Sequence, residues 1–219
     1  MSEQIDIVTD LNQPTGTTAD KREAHRQGLW HRTFSALALA LPRRSVLLQI
    51  KSPNRIPGGP PAQPIADFTV GGHYRAGEPT TSVREVDEEF GRKIAYTDLH
   101  PIGIRQTVAT LSDTYIEREF QYWHLLPIED DLAAIRIEDD EVVGLVEVGI
   151  DEAIRLADGS DTSVPALWGH RAADGLLVTE GTLDTANLVR NFLGTDQIYL
   201  RLFLAAHRYH AGERTHLFW

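Results

Sequence analysis

The sequence predicts an α/β sandwich. Three observations carry this. Short apolar runs of strand character recur through the first two-thirds of the chain. Two segments with helical periodicity lie among them. The 219 residues, 42% hydrophobic and 24% charged, suffice to bury a substantial core.

In chain order, Ile5 and Ile7 alternate with polar residues before Asn12-Gln13-Pro14-Thr15-Gly16, so residues 4–18 read as strand, turn and strand. Asp20 to Gly28 has room for a short helical turn. Thr33–Leu41 and Val46–Ile50 flank Pro42-Arg43-Arg44 as a hairpin. Ser52 to Pro64 holds five prolines and two glycines and reads as an irregular loop. Phe68–Val70 is a short strand running into Gly71-Gly72. Thr81–Phe90 is a helix, capped by Thr81 or Ser82 and stopped by Gly91, with Val83, Val86 and Phe90 as its buried stripe. Strands are expected near 100–110, 115–126 and 142–148, and a second helix over Asp151–Ala157. Leu183–Phe192 and Gln197–Arg208 are helical candidates, which divides the chain into a core domain, 1–157, and a mainly helical C-terminal extension, 158–219. Such an extension is compatible with a homodimer.

Composition excludes several function classes. A net charge of −11 disfavours nucleic acid or an anionic membrane as the main partner. The absence of cysteine removes disulfides, thiolate metal sites and a cysteine nucleophile. No run of 18 apolar residues is present, and the reading is of a cytoplasmic protein. Ten acidic residues and one basic residue, Arg136, lie between Glu129 and Glu152. They form a solvated acidic face or a loop that binds cations or gates substrate.

The densest chemical signal runs from Gly72 through Glu78 to Arg84-Glu85-Val86-Asp87-Glu88-Glu89-Phe90-Gly91. On a helix Glu85, Glu88 and Glu89 share one face. Three converging carboxylates repel unless a cation neutralises them, and hard oxygen ligands suit Mg²⁺ or Mn²⁺. Such an ion can bridge to phosphate oxygens. Arg84 can hold a carboxylate in position, and the preceding glycines allow a tight loop whose amides approach an anion.

These residues resemble the box of the Nudix hydrolases, with matches at Gly72, Glu78, Arg84, Glu85, Val86, Glu88, Glu89 and Gly91. Two departures stand out: five residues rather than seven separate Glu78 from Arg84, and Arg92 replaces the usual aliphatic. The resemblance implies the Nudix α/β/α sandwich with a mixed sheet over the core domain. It also implies hydrolysis of a diphosphate linkage in a small molecule, with Glu85, Glu88 and Glu89 as Mg²⁺ or Mn²⁺ ligands.

A finer likeness lies upstream. His25 to Thr33 and Gln49 to Asn54 resemble the branch related to isopentenyl-diphosphate isomerase. That likeness implies a mixed metal site of His25, His31, His73, Glu117 and Glu119, the last two on one strand face. The isomerase's catalytic cysteine falls at Gly71 here, so hydrolysis is preferred to isomerisation. A non-catalytic nucleotide-sensing module is the other alternative. Arg32, Lys51 and Arg75 are candidates for holding phosphate oxygens, and Glu129, Asp130 or Asp131 for a loop base. His207 and His210 read as surface or packing residues. Trp30, Trp123, Trp168 and Trp219 read as core more readily than as base-stacking residues. The pocket walls are expected from 52–66, 127–141 and the extension.

Overall fold

A computed structural model describes residues 3–51, 64–137, 142–215 and 217. Its strands are β1 (Gln4–Val8), β2 (Pro14–Asp20), β3 (His31–Ala40), β4 (Ser45–Lys51), β5 (Ile65–Phe68), β6 (Val70–His73), β7 (His100–Ser112), β8 (Tyr115–Ile128), β9 (Val142–Gly149), β10 (Ser163–Ala172) and β11 (Gly175–Asp184). The helices are α1 (Lys21–Gln27), α2 (Arg84–Phe90), α3 (Ile150–Asp158), α4 (Arg190–Gly194) and α5 (Ile198–His210).

β1 and β2 form a separate hairpin, and the other nine strands form one mixed sheet with the path β11-β10-β9-β4-β3-β8-β7. Among the strands of the described residues, only the β3–β8 pairing is parallel. Alternation along β3 sends Leu37 and Leu39 to one face and Phe34, Ala36 and Ala38 to the other. The first face packs on α3 through Ile150, Ala153 and Leu156, and on α5 through Ile198, Tyr199, Leu202 and Phe203. The second packs on α2 through Val86 and Phe90. This is the expected α/β/α arrangement.

Two elements depart from expectation. α2 begins at Arg84, because Ser82 N–H donates to Pro79 O at 2.9 Å and closes a turn over 79–82. The Ser82 hydroxyl is bound to Glu78, and Ser82 and Thr81 do not take the N-cap position. The helix does stop at Gly91, whose φ of 62° suits the residue. Arg92 N–H closes the cap on Val86 O, and its guanidinium pairs with Asp130.

The extension contains α4 and α5, but β10 and β11 precede them and widen the sheet. Leu183 and Asp184 end β11 instead of starting a helix, and Asn187 ties the following turn to Pro64 O at 3.1 Å. Asp174-Gly175 at the β10–β11 turn, with Gly175 at φ 121°, is the hairpin signal that the helical reading passed over.

One feature of the sheet positions the cleft and the side chains around it. β3 and β4 pair only over Ala38–Ala40 with Ser45–Leu47. Beyond that they part, β3 taking β6 and β4 taking β5. Thr69, between β5 and β6, sits in the fork. Its hydroxyl accepts from Ala38 N–H at 2.8 Å and donates to Leu47 O. Replacing Thr69 by Val keeps the shape and strands both backbone groups in a buried position. A loss of about 1–3 kcal/mol is expected in urea unfolding.

Candidate cleft and metal centre

The fork opens a cleft. Its inner chamber, ≈ 150 Å³, is walled by Thr33, Gln49, Gly71, Gly72, His73 and Glu119, among others. An outer chamber of ≈ 530 Å³ lies between β7, β8 and the α4 segment, and shares Lys51, Asp67, Glu117 and Phe192 with the inner one. The extension therefore supplies a wall, as expected. Of the wall expected from 52–66, residues 52–63 fall outside the described residues, as do 138–141 of the acidic segment.

His25, His31, His73 and Glu119 offer ligand atoms all within 4.8 Å of one another, and all four are buried. Local structure explains the convergence. Asp20 caps α1 by accepting from Arg22 N–H at 2.9 Å, and Gly28 ends it at φ 62°. A Cβ on Gly28 would meet Ile116 at 2.9 Å, so a glycine lets α1 lie close against β8. His25 then stacks on Tyr115, with ring centroids 4.2 Å apart. The parallel register pairs His31 with Glu119, and the β3–β6 register pairs Thr33 with His73.

Backbone carbonyls select the tautomers. His31 Nδ1 lies 2.8 Å from Leu29 O and His25 Nδ1 lies 3.3 Å from Ile116 O. With Nδ1 donating, each Nε2 carries a lone pair. His31 Nε2 has no hydrogen-bond partner and stands 3.6 Å from Glu119 Oε1. His25 Nε2 is 3.1 Å from His73 Nε2. Burial lowers the pKa of His25 and lowers that of His73 well below the ordinary value. Burial opposes ionisation of Glu119, yet His31, His73 and Gln121 hold its carboxyl well below the usual range. Imidazole nitrogens and one carboxylate thus face one another in a buried group, and a divalent cation fits that donor set.

Glu117 stands outside this group of four, on the wall both chambers share. Burial and then Glu119 push its carboxyl up to about 7. Gln121, two residues beyond Glu119, donates to Glu119 Oε2 at 2.9 Å. Its own Oε1 accepts from Arg105 at 2.8 Å, and Arg105 is held by Asp196 before α5. This chain from the extension to the cluster escaped the sequence reading. Strand alternation from Glu117 and Glu119 was a signal for Gln121, but no local pattern joins Arg105 to Asp196, 91 residues away.

The box residues adjoin the cluster through β6. Glu89 accepts from Gly71 N–H at 2.8 Å. Glu85 lies against Gly72 so closely that a Cβ there would come 2.1 Å from its Cδ. Arg84 binds Glu85 at 2.7 Å, Glu88, and His73 O at 2.7 Å. Glu78 accepts from Arg84 at 3.1 Å, so the shortened loop still brings Glu78 to the arginine. Burial, opposed by Arg84 and reinforced by Glu88, pushes Glu85 up to about 7. Among the described residues these three carboxylates do not gather as tightly as the histidine group.

Of the phosphate candidates, Lys51 lines both chambers and pairs with Asp67 at 3.1 Å. Arg32 is bound to Asn12, and Arg75 to Glu3 and Glu88; neither lines either chamber. Asp130 and Asp131 pair with Arg92 and Arg43, and neither they nor Glu129 line a chamber. His207 faces Asp151 at 3.8 Å from the solvent side of α5. Trp123 is buried in the core, while Trp219 lies outside the described residues.

Two outcomes follow for the cluster. Folded His25 and His73 bind protons less readily than when unfolded, so the unfolded chain takes up protons first below about pH 6.5. Stability of chelator-treated protein should therefore fall as pH drops from about 6.5 to 5. The slope should flatten in His73→Asn, as read by denaturant titrations across that range. Gln121→Leu should weaken Mn²⁺ binding about ten-fold in calorimetric titration while leaving the melting temperature near wild type.

Comparison with known proteins adds the following. No family model matches the chain. It is 29% identical over 157 residues to an uncharacterized Nudix hydrolase of Clostridium acetobutylicum, covering 71% of this chain and 74% of that protein. It is 27% identical over 155 residues to Nudix hydrolase 3 of Arabidopsis thaliana, covering 68% of this chain and only 20% of that longer protein. Among solved structures, the E. coli dihydroneopterin triphosphate pyrophosphohydrolase superposes with a TM-score of 0.42 at 18% identity, covering 57% of this chain and 84% of that one.

Proposed function

We propose that the chain is a Nudix-type pyrophosphohydrolase that cleaves a small-molecule diphosphate using Mg²⁺ or Mn²⁺ at the fork of the sheet. The observation that carries the reading is the meeting of two ligand sets on β6. Glu85 and Glu89 reach Gly72 and Gly71, and the next residue, His73, belongs to the buried cluster.

His25, His31, His73 and Glu119 would hold one cation, and Glu85, Glu88 and Glu89 would offer a second, all-carboxylate set. When bound, the metal neutralises charge on the transferring phosphoryl group and acidifies water. The protein's own groups do the rest. Arg84, oriented by Glu78, holds Glu85 and Glu88 in place. One carboxylate of this set would accept a proton from the attacking water. The water oxygen bonds to phosphorus, the bond from that phosphorus to the bridging oxygen breaks, and the phosphate ester leaves with that oxygen. Lys51, the one phosphate candidate that lines the chambers, is paired with Asp67, which leaves the diphosphate to the metal-binding side of the cleft.

Hydrolysis ranks ahead of isomerisation on Gly71. It lines the inner chamber, and a Cβ there would meet nothing nearer than Phe34 O at 3.9 Å, so a larger residue has room. The thiol on which the isomerase relies is absent from the whole sequence. Retention of Glu85, Glu88 and Glu89 likewise favours turnover over sensing.

The test is phosphate release from a panel of diphosphates with Mg²⁺ or Mn²⁺. Glu88→Gln and Glu89→Gln should lower the rate by roughly two to four orders of magnitude, as expected for losing a major electrostatic contribution. Near-wild-type turnover in both variants would reject the site. Conversion of isopentenyl diphosphate to its isomer would reject the reaction.

A further inference from the structure

We propose that the inner chamber selects diphosphates whose organic part carries a hydroxyl or amino donor over those carrying a hydrocarbon, and that Gln49 reads that donor. The proposal rests on the hydrolytic reading above and narrows its substrate class.

Gln49 lies on β4 where β3 has just turned away, directly opposite Asp67 of β5. It is 1% exposed, lines the inner chamber, and its Oε1 has no hydrogen-bond partner. Several other polar groups on the same walls are engaged with one another. Lys51 pairs with Asp67, and Asp67 also accepts from Phe68 N–H at 2.8 Å. Gln121 is held between Arg105 and Glu119, and the Thr33 hydroxyl donates to Glu119 at 3.4 Å. A buried amide carbonyl left bare costs about 1–3 kcal/mol, so a ligand that donates to it gains what a hydrocarbon forfeits.

Charge orients the ligand. The wall beyond the histidine cluster presents the carboxylates of Asp67 and Glu117 as well as Gln49 Oε1, with Lys51 already paired. A diphosphate carries only acceptors, gains nothing from the acceptors on that wall, and lies toward the cation-binding side at His73 and Gly72. The organic part is then the portion that meets Gln49, and its remainder extends past Phe192 into the outer chamber. An alkyl or prenyl group in that position would desolvate Gln49 and Asp67 with nothing in return. A sugar-like or amino-bearing group would satisfy them.

The experiment separates binding from turnover. Calorimetry in Mg²⁺ compares two methylene-bridged diphosphonate esters that cannot be hydrolysed, one n-pentyl and one ribosyl. Wild-type protein should bind the ribosyl ester at least about ten-fold more tightly, the scale of one buried hydrogen bond. In Gln49→Met that advantage should shrink to less than about three-fold, with pentyl affinity equal or improved. A damaged fold would not improve it. Equal or tighter pentyl binding by the wild type overturns the proposal, and so does an undiminished ribosyl preference in Gln49→Met, or binding of neither ester. A ribosyl preference in a protein that releases no phosphate from the corresponding natural diphosphate leaves the selection standing and removes the hydrolytic reading.

Discussion

The parting of β3 from β4 after three residue pairs is the constraint on which the rest depends. A continuous sheet would satisfy every backbone group at the centre and leave no cavity. The fork leaves Ala38 N–H and Leu47 O without strand partners, and Thr69 answers both with one hydroxyl. The opening then belongs to side chains. β6 carries His73 and the two glycines against the box helix, and β5 sets Asp67 across from Gln49. The walls formed by β5 and β6 are strands held by β4 and β3, which gives the site rigid supports.

Within that opening, electrostatics is arranged by shortage. In the histidine cluster backbone carbonyls take the Nδ1 protons of His25 and His31, and burial discourages further protonation of His25 and His73. The box helix is the reverse case: negative charge is plentiful, and Arg84 pairs with it. The two deficits adjoin on β6. A diphosphate with its cations would supply both charge and ligands at that junction, and neither set alone offers this. Glu78 has a place in the same balance, since fixing Arg84 fixes how Glu85 and Glu88 are presented. The shortened loop before the helix preserves that contact through a turn over 79–82.

Legibility in the sequence followed the range of the interaction. Elements set by local periodicity and caps were readable: the β3–β4 hairpin, α3, and the end of α2 at Gly91. The start of α2 was not, because Ser82 spends its hydroxyl on Glu78. The β10–β11 hairpin had a turn signal in Asp174-Gly175, but apolar residues in Leu183–Phe192 suggested a helix more strongly. At the site, residue types that bind metal announced themselves, and four of the five expected mixed-site residues converge. The polar groups that orient them did not. Gln49, Gln121 and Arg105 are ordinary residues on strands. Their significance comes from what lies opposite in the sheet, or from Asp196 far along the chain, and no short window contains that information.

The extension changes what kind of cleft this is. Asp196 neutralises Arg105, and Phe192 lies 5.3 Å from the guanidinium and closes the chamber wall. Asp67 does the same for Lys51. With its cations paired, the outer chamber has little to offer a phosphate and much to offer a neutral polar group. Phosphate recognition is thereby confined to the junction of the two ligand sets, while discrimination between organic groups falls to hydrogen bonds and shape along the extension. A single chain segment, Val189 to Asp196, serves both ends of this division. It forms a wall of the outer chamber, and through Arg105 and Gln121 it fixes the carboxylate that faces the histidines.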